Sequence, residues 1–490
     1  MRIRSAHLIA TAGFVLALAP SLAAAQNATP DAKSADDPMI LYARDNTIVR
    51  AHFQIGVNAV YERNLFWNYS DVVAPNSGFN PDTEWLEGYF KPGVSVSRRL
   101  DNGLTAYGAV SIIASATQGI DAFAAEDQGA ITIEEGYVGL RTTSQDGDRS
   151  FDISVGPREF KAGTGMLISN GGSNGFTRGA LKLGPHKAWD FAGLARYTSG
   201  DLSGTAFYIG PNEAQDNNSH TRIAGLDLRY DPDAETYAGM TVGKVLSSDA
   251  PYPKAAPNGI GVPSILEGAR GGLQFLTLYA RMKPFGDGPL ANVFVTGDLA
   301  LEKNDRIDME AWAGRVQVGY VFTMPWSPTL TYGYQTFSGD DPSTTRLERF
   351  DPLYYEGSPS AWSTGSKSSM VFINSNIHAH LYALKMTPTP RDIVTLRYAR
   401  ISANELLSPI QFGQATRVEE IDGILNPISG VTSPRLSDDV FIEYTRVITP
   451  RIYLTAGVSY SQPGPGIDSI IVGMKAPKWT GGFVNIVADF

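Results

Sequence analysis

Hydrophobic and polar positions alternate with a period of two along most of this chain, from residue 49 to its last residue. Early in the sequence Phe53, Ile55, Val57, Ala59 and Tyr61 interleave with His52, Gln54, Gly56, Asn58 and Glu62. A β-strand sends successive side chains to opposite faces, so each such run predicts a strand with one apolar and one polar side. The runs number about eighteen, at 49–62, 84–98, 103–117, 130–143, 149–158, 189–197, 202–210, 220–230, 235–246, 270–282, 289–303, 309–323, 328–338, 371–386, 391–402, 436–447, 451–461 and 481–490. Beyond the first 25 residues no apolar run approaches the roughly 20 residues a spanning helix needs. Any membrane crossing must be made by strands.

The connections carry as much information as the strands. Short turns sit at Leu100–Gly103, Ser144–Asp148, Thr198–Asp201, Asp231–Ala234, Met324–Ser327, Thr387–Pro390 and Ile448–Pro450, with a slightly longer one at Lys283–Gly288. Between them lie mostly long connections, including 64–83, 159–188, 247–269, 339–370 and 403–435. Outer-membrane barrels have short periplasmic turns and long external loops. The alternation therefore predicts an all-β, transmembrane, antiparallel up-and-down barrel with both ends of the chain on the periplasmic side and an even strand number. A soluble β-sandwich also alternates, but nothing in it requires every second connection to be long.

Arg2 and Arg4 precede an apolar stretch from Leu8 to Leu18, and Ala23, Ala24 and Ala25 follow as a small-residue cleavage site. Residues 1–25 thus read as a secretory signal, 26–48 as a short polar periplasmic lead and 49–490 as the barrel, placed in the outer membrane of a Gram-negative cell. The last strand, with Gly482, Val484, Ile486, Ala488 and Phe490 on one face, resembles the C-terminal signature read by the barrel assembly machinery. That machinery, outer-membrane lipid and lipopolysaccharide are the expected partners. The absence of Cys excludes disulfides, thiolate metal sites and thiol nucleophiles. A net charge of −10 argues against nucleic acid as a partner.

One stretch, Tyr332 to Arg400, resembles the alginate-exporter family of outer-membrane channels. The residues that carry the likeness are Ser338-Gly339-Asp340-Asp341, Phe350-Asp351-Pro352-Leu353-Tyr354, Asn376-Ile377-His378-Ala379-His380 and Thr387-Pro388-Thr389-Pro390. Glu135 with Tyr137, Val155-Gly156-Pro157-Arg158 and Trp189-Asp190-Phe191 add to it more loosely, and Gly156-Pro157-Arg158-Glu159 departs from the family's Gly-Arg-Gln. The resemblance implies an eighteen-strand barrel and a conduit for a polysaccharide or another polar, often anionic, solute.

Strand parity proposes which residues face the lumen, since lipid-facing positions must be apolar. The inward basic set is Lys91, Arg141, Arg158, Arg196, Arg229, Arg281, Arg315 and Arg397; the acidic set is Glu62, Glu87, Glu135, Asp152, Asp227, Asp298, Glu302, Glu443 and Asp489. The two nearly balance, unlike the basic lumen of a dedicated alginate conduit, and many of these groups are expected to pair across strands. Arg remains the stronger candidate for solute contact, because its rigid fork matches carboxylate or phosphate. Inward Tyr89, Tyr137 and Tyr279 offer hydroxyls and rings, and His378 and His380 are expected to line the lumen. Two histidines are too few for a metal site, and Asp340, Asp341 and Asp351 are expected to be solvated loop carboxylates rather than a calcium site.

No catalytic or cofactor-binding group is expected: Ser375 has the opposite strand parity from His378 and His380, and no phosphate loop or zinc-protease motif occurs. The composite expectation is a passive, selective outer-membrane channel for a polar or anionic solute. A general diffusion porin and a surface adhesin remain alternatives.

Overall fold

The computed structural model describes residues 38–68, 80–122, 127–357, 362–365, 372–410, 420–421, 424–425, 430–470 and 475–490. The proposed signal and the lead as far as residue 37 lie outside them. In chain order the strands are β1 (Ile40–Arg44), β2 (Thr47–Arg63), β3 (Thr83–Arg99), β4 (Leu104–Gly119), β5 (Gln128–Thr143), β6 (Arg149–Arg158), β7 (Trp189–Ser199), β8 (Leu202–Gly210), β9 (Arg222–Tyr230), β10 (Tyr237–Ser247), β11 (Tyr252–Lys254), β12 (Ser264–Leu266), β13 (Gln274–Met282), β14 (Val293–Asn304), β15 (Met309–Val321), β16 (Thr329–Phe337), β17 (Ile377–Thr389), β18 (Asp392–Ala403), β19 (Glu420–Ile421), β20 (Ile424–Leu425), β21 (Arg435–Thr449), β22 (Ile452–Pro463) and β23 (Trp479–Asp489). The pairs β11–β12 and β19–β20 sit in loops; the remaining nineteen strands form one sheet. β23 returns to β2, from Asp489 opposite Gln54 to Thr480 opposite Arg63, and with β1 set aside as an edge piece this closes an antiparallel barrel of eighteen strands. With large apolar side chains exposed on its outer face, it is an outer-membrane barrel.

Alternation explains why these residues take this form. On β2, Ile55, Val57 and Tyr61 are exposed toward the lipid side, whereas Asn58, Val60 and Glu62 are buried inside. Inward aromatic rings lie flat on glycines of the adjoining strand. A Cβ on Gly56, Gly139 or Gly319 would come within 2.4, 2.4 and 2.1 Å of the rings of Tyr89, Tyr107 and Phe294. Such ring-on-glycine pairs fill the hole left by the missing side chain and help to fix the register.

Two local features depart from simple alternation. In the first, Ser111 lies opposite Glu135 and Ile112 opposite Ile133, so Glu134 is an extra residue in β5. This bulge turns two consecutive carboxylates inward, both of them buried.

The second corrects the expected polar lead. Ile40–Arg44 folds back onto Thr47–Arg50, through a turn in which Asp45 and Asn46 both have positive φ (52° and 57°). Asp and Asn tolerate that conformation, which suits a tight hairpin. The cause lies at the other end of the chain: β23 stops opposite Gln54, and without β1 the first residues of β2 would present a bare edge.

Phe490 seals the seam. Its N–H donates to the Phe53 carbonyl (2.8 Å), its carbonyl accepts from the Phe53 N–H (2.9 Å), and the two rings stack at 4.6 Å. Deleting Phe490 should remove an aromatic pair of about 0.5–1.5 kcal/mol and two backbone bonds of similar size each. The fraction of heat-modifiable barrel in outer-membrane extracts, followed against urea, should fall at lower denaturant. An unchanged midpoint would show that closure does not depend on this residue.

Candidate functional site

The lumen is narrowed by two loops that fold into it, those following β6 and β16. Gly156 is where the first begins. Its φ is 124°, and a Cβ there would lie 2.3 Å from the Gly136 carbonyl oxygen, so only glycine lets the chain bend here. The 159–188 loop then reaches back past β5 and β4 to β3 and β2, beside the seam. Glu87 accepts hydrogen bonds from the backbone N–H groups of Lys182 (3.1 Å) and Leu183 (2.7 Å), and from Asn58 Nδ2 and Trp85 Nε1. Glu62 accepts from Lys182 Nζ (2.9 Å) and Trp479 Nε1 (2.8 Å). The bulged Glu134 accepts from the N–H groups of Lys187 and Ala188 (2.7 and 2.8 Å).

A serine–histidine–glutamate string occurs here, with Ser115 Oγ 3.2 Å from His186 Nε2 and His186 Nδ1 3.4 Å from Glu134. All three are buried, and the Ser115 hydroxyl donates to the Arg178 carbonyl (2.6 Å). The string pins the loop and offers no exposed nucleophile.

The described parts of the 338–376 loop enter from the opposite side. Asp351 N donates to Glu302 (2.8 Å), and Asp351 receives both arms of the Arg270 fork (2.7 and 2.9 Å). Burial works to lower the Arg270 guanidinium, but Asp351 outweighs it and holds the group above its ordinary value. The two loops then join each other. Tyr354 N donates to the Leu167 carbonyl (2.9 Å), and the Tyr354 carbonyl accepts from Ser169 N and Asn170 N. Trp362 Nε1 donates to the Thr164 carbonyl (3.1 Å), and Lys161 pairs with Glu356 (3.0 Å). Burial, with Glu213 nearby, pushes the Tyr354 phenol up to about 12, so it stays neutral at the junction. The fully buried Trp189, Trp362, Phe337 and Phe350 belong to the apolar cluster these loops share with the barrel interior.

Breaking a buried ion pair by removing one partner costs about 3–5 kcal/mol. Arg270→Ala should therefore loosen the 338–376 loop, seen as faster cleavage by protease added to intact cells, and Arg270→Ala/Asp351→Ala should recover part of the resistance. Equal cleavage rates in wild type and Arg270→Ala would show that the pair does not hold the loop.

Anchoring the loops changes the charge balance that strand parity suggested. Glu62, Glu87, Glu134, Glu135 and Glu302 are at most 3% exposed, held against loop backbone or other partners. None of the inward cations proposed by strand parity is buried to that degree, although Arg270 and Arg349, within the loop packing, are. Arg196 lies opposite Asp152 and Thr205 and is exposed. Arg141 stands beside Asp152 and 5.9 Å above the Tyr107 ring. Arg158 donates to Ser154 and lies 4.4 Å above the Tyr137 ring. Arg229 Nε donates to both Asp231 carboxylate oxygens and its guanidinium stacks on Tyr237, while Arg281 donates to the Glu235 carbonyl. Arg315 lies opposite Asp298, bonds Gln317 and sits 5.1 Å from the Trp362 ring. Arg397 points inward between Ala383 and Phe441.

Lys91 is already spoken for, by Glu159 (3.4 Å) and Glu135 (3.6 Å), and Asp227 accepts from Thr241 and Tyr279. Lys385, between Thr329 and Thr395, also faces the lumen and was missed, although its parity on β17 could have found it. The loop groups Glu159, Lys161, Lys182 and Glu356 carry no such signal, because only tertiary contacts bring them inside.

His378 and His380 do not line the lumen. They lie opposite Thr336 and Tyr334 on the outer face, in step with exposed Tyr332 and Tyr382. Polar side chains are allowed outward near the loop end, where lipid gives way to head groups. Asp340 and Asp351 are not solvated: Asp340 accepts from Ala255 N and Glu348 N (2.6 and 2.9 Å), and burial raises its carboxyl. No group of three or more potential ligands suited to a metal occurs among the described residues. Ser375 donates to the Phe350 carbonyl (2.7 Å), away from both histidines.

No family model matches the sequence, and no curated protein matches it. Among solved structures, the chain is similar to OccAB2 of Acinetobacter baumannii, at 8% identity over 90% of this chain and 98% of that one, with a TM-score of 0.49. It is similar to OccK7 (OpdD) of Pseudomonas aeruginosa at 9% identity over 90% and 98%, with a TM-score of 0.48. It is also similar to OmpT, an outer membrane protein of Vibrio cholerae, at 9% identity over 92% and 99%, with a TM-score of 0.38.

Proposed function

We propose that this barrel is a passive channel that selects anionic polar solutes. The observation that carries the reading is the unequal fate of the lumen charges: the inward glutamates of β2, β3, β5 and β14 are buried as loop anchors or ion-pair partners, while the inward arginines stay accessible. Seven inward arginines then stand against five inward carboxylates that are not buried, Asp152, Asp227, Asp298, Glu443 and Asp489, and an excess of one charge selects the opposite sign. Arg forks suit carboxylate or phosphate groups, and the Tyr137 and Tyr237 rings beneath Arg158 and Arg229 keep those forks in place. The likeness of Tyr332–Arg400 to alginate exporters favours a carboxylate-bearing oligosaccharide or polysaccharide as the solute.

Purified protein in planar bilayers, under a salt gradient at low ionic strength, should show a reversal potential of anion preference. An acidic oligosaccharide should block the current and a neutral one of the same length should not. Cation preference, or a silent bilayer, would overturn the reading. Anion preference with no block by either sugar would favour a general diffusion pore.

A further inference from the structure

Near the loop end of β16, β17, β18, β21 and β22 the outer face stops being apolar, and it does so in ordered rows. One cross-strand row reads Leu330, Leu384, Leu396, Ile442, Val458. The next toward the loops reads Tyr332, Tyr382, Tyr398, Val440, Tyr460, and the one beyond it Tyr334, His380, Arg400, Asp438, Gln462. Hydrocarbon gives way to a tyrosine row and then to a charged row within two steps of alternation. The tyrosines mark the level of the membrane interface. The charged row therefore stands at the level of the outer leaflet's head groups.

On β15 and β14 the same change comes nearer the loops, as Trp312 then Glu310 and as Leu301 then Lys303, because tilted strands stagger the rows. The β18–β21 pair differs in setting two arginines around one carboxylate. Within the sector, Asp438 is shared by two guanidinium groups: Arg435 pairs with it closely, and Arg400 Nε lies 3.8 Å away. Two cations on one carboxylate leave an excess positive charge, and the two arginine side chains are 51% and 45% exposed. The adjacent imidazoles are oriented: Tyr332 OH lies 2.9 Å from His380 Nδ1, and His378 Nδ1 lies 2.8 Å from Asn404 Oδ1.

We infer that this sector binds the phosphorylated sugar head group of lipopolysaccharide, with Arg400 and Arg435 taking a phosphate and the tyrosine row lying along the start of the acyl chains. The occupant follows from charge and level together. A net-positive, hydrogen-bonding patch directly above a tyrosine row matches an anionic sugar phosphate attached to hydrocarbon chains. A second copy of this chain fits less well, because a two-fold contact would set the same positive patch against itself. The site lies outside the barrel, and its test is independent of what the lumen conducts.

Purified barrel in neutral detergent is titrated with lipid A carrying its phosphates, with dephosphorylated lipid A, with phosphatidylglycerol and with inorganic phosphate. Bound lipid is counted by native mass spectrometry. Wild type should prefer phosphorylated over dephosphorylated lipid A by about tenfold or more, as expected for charge-assisted bonds to phosphate. Arg400→Ala/Arg435→Ala should lose that preference, Arg400→Lys/Arg435→Lys should keep part of it, and Lys244→Ala, on the outer face of β10, should keep all of it. Heat-modifiability of each variant confirms that the barrel is folded. Equal binding of both lipid A forms by wild type would overturn the inference. So would equally tight binding of phosphatidylglycerol, or full competition by inorganic phosphate at comparable concentration. Lipid-free self-association of wild type that the double alanine variant lacks would assign the patch to a second copy instead.

Discussion

Reversing the charge of Arg158, Arg315 and Arg397 should shift the ion preference of the pore strongly toward cations. The three project into the lumen from β6, β15 and β18, so each substitution acts on the water-facing side and not on lipid. The reversed charges would join Asp298, opposite residue 315, and Glu443, on the neighbouring β21. Recordings at low salt should show the reversal potential move toward cation preference. At 1 M salt the change should shrink, because the Debye length falls to about 3 Å. Since a glutamate facing Asp298 strains the fold, the three Arg→Gln substitutions provide a gentler companion that should move the potential in the same direction by a smaller amount. If both variants insert and keep the wild-type reversal potential, these arginines do not govern permeation.

The second large effect concerns the loop that narrows the lumen. Glu62→Ala/Glu87→Ala removes the carboxylates that hold Lys182 Nζ and the N–H groups of Lys182 and Leu183. Hydrogen bonds to a charged group are worth about 1.5–3 kcal/mol each, so losing even two weakens the attachment by on the order of 3–6 kcal/mol. Single-channel conductance should rise and the open state should become noisier, because the loop is then held by Glu134, the Ser115–His186 contact and its junction with Tyr354, without its β2 and β3 anchors. Unchanged conductance and noise would show that these remaining contacts are enough to position the loop. Adding Arg270→Ala, which loosens the partner loop, should then expose the effect.

How far the sequence disclosed this arrangement depends on which force sets each part. The strands were legible because lipid imposes apolar side chains at every second position, so Ile55, Val57 and Tyr61 announce their face without knowledge of any neighbour. The lumen side lacks that constraint. Parity correctly turned Glu62 and Glu87 inward, but it could not tell water from a folded loop, and both carboxylates turned out to be buried. Glu134 escaped notice because the bulge shifts parity by one residue. His378 and His380 were misplaced because a rule about hydrocarbon was applied to the head-group level, where it lapses. The strings Ser338–Asp341, Phe350–Tyr354 and Asn376–His380, which carried the family likeness, include Asp340, Asp351 and Tyr354. These bond the 338–376 loop to its neighbours, so the residues that carry the likeness serve loop packing as much as solute contact.

The seam between β2 and β23 has a consequence for how the molecule comes into being. The closing bond from Gln54 Nε2 to Asp489 joins residues 435 apart, whereas most other strand pairs are neighbouring hairpins that can form locally. Non-local pairings form late, because chain entropy must be given up before they return anything. Until they form, the sheet has two free margins. β1 covers only Thr47–Arg50 of one of them, and the other is the whole of β23. Free strand margins are templates for pairing with another chain. An unsealed sheet with these two margins is thus the form of the chain most open to pairing with another chain, and closure at the seam is what removes the hazard.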